Sequence, residues 1–80
     1  MEQTMTCIVC EYGWILIGKV ILEVSDAVEL RDAAVVRSWN NGRGIGGIVK
    51  KKYRDEYTLD EIGTVYIPKD KILFSIPCEW

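Results

Sequence analysis

A chain of 80 residues buries only roughly 60–65% of the surface its unfolded form exposes, so it holds one domain with a thin core. At 49% hydrophobic and 28% charged it has the make-up of a folded protein, and a formal net charge of −2 excludes the broad basic surface that a general binder of long duplexes needs. The absence of histidine excludes Ser-His-Asp and Cys-His chemistry, and Lys19 and Glu23 break the longest apolar run before it could span a bilayer.

Residues 6–11 read as a first strand and Tyr12-Gly13 as a turn. Cys7 and Cys10 form a C-x-x-C pair, which elsewhere marks zinc or redox chemistry. Strand positions three apart face opposite sides, however, and a zinc site wants about four ligands, whereas Cys78 is the only other thiol. The three cysteines therefore read as small buried hydrophobes of a reduced protein. Glu2 precedes any basic residue, unlike a signal peptide, so a cytoplasmic location is expected.

Residues 14–24 form a long β-branched run with two apolar faces. Ile15, Ile17 and Ile21 share one face, and Trp14, Leu16, Val20, Leu22 and Val24 share the other. Gly18 is a natural place for a bend or bulge, of the kind a small barrel uses to turn its corner. Either that bend brings both faces into one core, or a second copy covers one of them. The expectation is homo-oligomerisation.

Ser25-Asp26 makes a turn, and residues 27–32 alternate, with Val28 and Leu30 opposed to Glu29 and Arg31. Val35 and Val36 carry the strand toward Trp39, but the phase slips over residues 32–34, which predicts a bulge. Residues 40–47 are glycine-rich and end the strand. After a polar, basic stretch over residues 48–57, Thr58 followed by Glu61 has the spacing of a capping box, read as a single turn. Residues 65–67 make a short strand, Pro68-Lys69-Asp70 a turn, and residues 71–76 the last strand, with Ile72, Phe74 and Ile76 on one face. The count predicts a mainly β fold: a small five-stranded open barrel, SH3-like or Sm-like, forming one domain over residues 1–80. One long basic loop or short helical turn precedes the last two strands. An OB-fold is the nearest competitor.

Charge is unevenly distributed. Residues 33–54 hold Arg37, Arg43, Lys50, Lys51, Lys52 and Arg54 and no acid, a charge of +6. The other four bases share the rest of the chain with all twelve acids, a charge of −8. Arginines bind phosphate bidentately, glycine-rich backbone approaches anions closely, and a tryptophan can stack on a base. The candidate ligand-binding residues are Arg37, Trp39, Asn40, Asn41, Gly42 and Arg43. For Lys50, Lys51 and Lys52 the plainer reading is a solvated face. Gly42, Gly44, Gly46 and Gly47 match neither a phosphate-loop nor a dinucleotide spacing, and the carboxylates sit beside turns or on alternating strand positions. No catalysis, cofactor or metal is expected.

The strings Cys7-Ile8-Val9-Cys10, residues 14–18, residues 28–33, Trp39, residues 59–63, Val65 and residues 72–78 resemble small phage- and prophage-encoded proteins. The best anchors are Asp32-Ala33, Trp39 followed by Gly42, and Ile76-Pro77-Cys78. The resemblance implies an Sm-like β-barrel that assembles into rings or other symmetric oligomers. It also implies a likeness to phage anti-defence sponges, which sequester nucleotide-derived signals of bacterial immunity. The sequence departs from that pattern after the tryptophan. Arg43-Gly44-Ile45-Gly46-Gly47 stands where the family has helix-forming residues, and Ala34 stands where it has an arginine-like residue. The expectation is thus a non-catalytic binder of a nucleotide-like anion. The alternatives are an Sm-like RNA-binding oligomer, or a phage structural or scaffold protein that meets only protein.

Overall fold

The computed structural model describes residues 5–39 and 42–80. Five antiparallel strands form one unclosed sheet: β1 (Met5–Cys10), β2 (Ile15–Glu23), β3 (Ala27–Trp39), β4 (Tyr57–Pro68) and β5 (Ile72–Pro77). The spatial order is β4-β3-β2-β1-β5, so β4 and β5 are the outer strands. This is the expected mainly β, open barrel-like fold. Among the described residues no helix is long and apolar enough to cross a membrane.

The sheet bends along a line crossing three strands. The β2–β3 register shifts between Ile17 and Lys19, around Gly18, and the β3–β4 register shifts between Leu30 and Ala33, where Ala33 then pairs with Gly63. Asp32 is the extra residue of this bulge and takes φ 51°, a left-handed conformation that aspartate tolerates better than most side chains. A Cβ on Gly18 would stand 3.1 Å from the Ala33 Cα, so any larger residue crowds the two strands where they meet at the bend.

The bulge also sets the core. Val28 and Leu30 lie in one buried cluster with Ile8, Cys10, Leu16 and Ile67, and past Asp32 the odd-numbered Ala33 joins the same cluster. The opposite face gathers Cys7, Ile17, Ala34, Val36, Tyr57 and Cys78. Ile48, from the segment between β3 and β4, is fully buried against that face. At the start of β2 both faces are buried within one chain, Leu16 in one cluster and Ile17 in the other, while Leu22 near its end stays exposed.

One reading of the sequence needs correction. Thr58 and Glu61 do not cap a turn; they belong to the continuous β4, twelve residues long, in which Thr58 pairs with Ser38 and Glu61 with Ala34. The long partner β3 decides this, because the cross-strand pairs it offers together outweigh a local cap with no helix to follow. In the stretch before β4, Lys50, Lys51 and Lys52 are exposed, as expected. The stretch forms two 3₁₀ turns, Ile45–Val49 and Lys51–Glu56. It is held down by three bonds: the Tyr57 hydroxyl donates to the Gly44 carbonyl, the Trp80 indole N–H donates to the Ile48 carbonyl at 2.9 Å, and the Glu79 N–H donates to the Val49 carbonyl at 2.8 Å.

Candidate functional site

Three of the six cations of the acid-free stretch are paired in space with acids outside it. Arg37 Nε lies 3.0 Å from an Asp60 carboxylate oxygen on the neighbouring strand. Arg43 Nε donates to Glu56 Oε1 at 3.0 Å, and its guanidinium stacks 3.7 Å over the Tyr53 ring. That hydrogen bond holds the Arg43 pKa above the usual arginine value. Lys50 Nζ donates to Glu79 at 2.7 Å, which likewise raises its pKa. Trp39 is half-buried against the core, its ring centroid 5.9 Å from that of Tyr57. Gly42 is exposed with φ 74°, and Asn40 and Asn41 lie outside the described residues. Arg37 lines a hollow with Tyr12, Trp14 and Asp60, and neither Trp39 nor Arg43 reaches it. Arg37 thus stands apart in that hollow, while Trp39 and Arg43 both lie near Tyr57.

A different concavity collects cations. A cleft of about 780 Å³ opens where the sheet bends. Lys19 of β2, Asp32 and Ala33 of β3, Glu61 and Gly63 of β4, Lys51 and Arg54 of the second 3₁₀ turn, and Glu79 and Trp80 line it. Its size falls within the usual range for small-ligand sites. The cleft opens at the bend, where Asp32 and Gly63 both take positive φ, and Lys51 and Arg54 of the 3₁₀ turn line it.

The electrostatics of this cleft are mixed. Lys19 Nζ is 3.2 Å from Asp32. Lys51 has no hydrogen bond or ion pair among the described residues, and neither has Glu61. The nearest carboxylate to Arg54 is that of Asp55 at 3.8 Å, too long for a strong bond, and its guanidinium lies 5.6 Å from the Trp80 ring. Arg54 and Glu61 also line an adjoining hollow of about 540 Å³ with Leu59 and Asp60. Reading along the sequence missed this cleft because its parts, Met5 among them, come from six places in the chain. The one local signal was the phase slip at Asp32.

The cysteines are buried on both faces of β1, Cys7 in one core cluster and Cys10 in the other. Burial pushes the Cys7 thiol up to about 12, with Cys78 and Cys10 adding to the rise, and burial raises Cys10 and Cys78 as well. Such thiols are poor nucleophiles and poor metal ligands at neutral pH. Compared with known proteins, the chain matches no family model, no curated protein and no solved structure.

Proposed function

We propose that this protein is a non-catalytic binder that holds a small anionic, nucleotide-like ligand in the cleft at the sheet bend and works as a homo-oligomer. The observation that carries this reading is Lys51. It is a cation without a partner among the described residues, and it lines the same cleft as the weakly paired Arg54 and the Trp80 indole. Two cations suit a phosphate, and an indole suits a base. Resemblance to phage anti-defence sponges supports the same reading and gives it a biological use, the sequestering of an immune signalling nucleotide.

A long RNA fits the cleft less well. Asp32, Glu61 and Glu79 interrupt any basic track, and Arg37, Arg43 and Lys50 are engaged by carboxylates. The reading in which the protein meets only protein draws on a separate observation, the exposed apolar residues of the outer strands.

Calorimetric titration with AMP, GMP, cyclic nucleotides and ADP-ribose tests the proposal. Saturable binding is expected, weakened about tenfold or more by Lys51→Ala and by Arg54→Ala, since each removes a charge-assisted contact. Binding that survives both changes, or none to any member of the panel, rejects this cleft.

A further inference from the structure

The cleft has a feature that a simple anion site would avoid. Glu61 is exposed, has no partner among the described residues, and lines the cleft that also holds Lys51 and Arg54. An ionised carboxylate accepts hydrogen bonds and donates none, and it repels phosphate. Its presence lowers affinity for a bare polyphosphate and raises it for a ligand that carries hydroxyl donors some way from its charge. Resting on the binding function proposed above, we infer that the cleft selects ribonucleotides by a hydrogen bond from a ribose hydroxyl to Glu61. The phosphate sits on Lys51 and Arg54, and the base lies against Trp80.

Three facts converge on this division of labour. Lys51 and Arg54 are one helical turn apart in the same 3₁₀ segment, so their charges serve one end of a ligand. Glu61 stands on β4, two residues before Gly63, so the carboxylate belongs to the sheet wall and the cations to the turn packed over it. Asp32, the other acid near the bend, is already 3.2 Å from Lys19, which leaves Glu61 as the acceptor without a partner. A carboxylate reading ribose hydroxyls is established chemistry in dinucleotide-binding folds, where it likewise stands apart from the phosphate contacts. The base, as the remaining part, falls to the aromatic residue.

The experiment compares AMP and GMP with their 2′,3′-dideoxy counterparts and with pyrophosphate, by calorimetry on the wild-type chain and on Glu61→Ala. In the wild type the ribonucleotides are expected to bind about tenfold or more tighter than the dideoxy forms, the worth of one hydrogen bond to a charged group. In Glu61→Ala the two series converge and pyrophosphate binds more tightly than before. Glu61→Gln, which keeps the side-chain shape, should also improve pyrophosphate binding. Circular dichroism of both variants checks the sheet. Equal affinity for ribo and dideoxy forms in the wild type, or discrimination that survives Glu61→Ala, overturns the inference and leaves the binding function standing. If no nucleotide binds at all, both fall.

Discussion

Burial holds the Cys7 thiol at about 12 against an ordinary value of 9.0, and this ties stability to pH. The folded chain keeps a proton that the unfolded chain gives up. The contribution is therefore fully present below about pH 9 and is lost as pH rises toward 12. Each pH unit in that window removes up to about 1.4 kcal/mol through this one group. Urea unfolding at pH 8 and pH 10.5 is expected to show a steeper alkaline loss for the wild type than for Cys7→Ala. Parallel losses would place the linkage elsewhere. Gly18 makes a different demand, one of space. A Cβ there would meet Ala33 Cα at 3.1 Å and Arg31 O at 3.2 Å, and backbone atoms do not swing aside as a flexible side chain would. Gly18→Ala is expected to cost about 1–3 kcal/mol in the same unfolding assay, as overpacked sites do. A change within error would mean that the bend has slack.

Ile48 shows how a segment without regular strand or long helix is held in place. It is fully buried and seals one face of the sheet, while Tyr57 and Trp80 bond the carbonyls of Gly44 and Ile48. Ile48→Ala is expected to destabilise the fold by about 2–5 kcal/mol and to free the two 3₁₀ turns, read as faster amide exchange over residues 42–56. Full protection in the variant would show that the hydrogen bonds suffice without the side chain. The same segment marks the border of what was legible in the sequence. Its charge could be counted, but Asp60, Glu56 and Glu79, which neutralise Arg37, Arg43 and Lys50, lie far along the chain or on another strand. Only the fold brings them together. The bulge at Asp32 was legible because it leaves a local trace, apolar positions changing from even to odd numbers between Leu30 and Ala33. β4 was not, because the spacing of Thr58 and Glu61 is also that of a helix start, and Gly63 interrupts the alternation. Its strand character comes from pairing with β3, a non-local cause. Lys19, Lys51, Arg54, Glu61 and Trp80 share no local pattern, so the cleft they line became visible only with the bend in place.

The strip β4-β3-β2-β1-β5 ends in two outer strands, and among the described residues each pairs on one side only. Four of the eight large apolar residues left exposed lie on those two strands: Ile62 and Tyr66 on β4, and Leu73 and Phe74 on β5. An unpaired row of N–H and C=O groups beside apolar side chains is a template for another strand, and natural edges usually blunt it with charge, proline or a cover. Asp60 of β4 is paired with Arg37, and Lys69 and Lys71, which lead into β5, each lie 3.7 Å from an acid of their own chain, Glu23 and Glu11, so charge does not decide which edges join. Joining unlike edges is a head-to-tail contact, which closes into a ring when the rotation per copy divides a full turn. The proposed homo-oligomer draws on these exposed edges, and Leu22 of β2 is a further exposed apolar residue. Phe74→Lys puts a charge in that contact without touching either core cluster. Light scattering is expected to show an assembly for the wild type and a monomer for Phe74→Lys, with near-unchanged circular dichroism in the variant. A monomeric wild type at high concentration would reject the edge contact. It would also leave those four side chains needing a partner other than the chain itself.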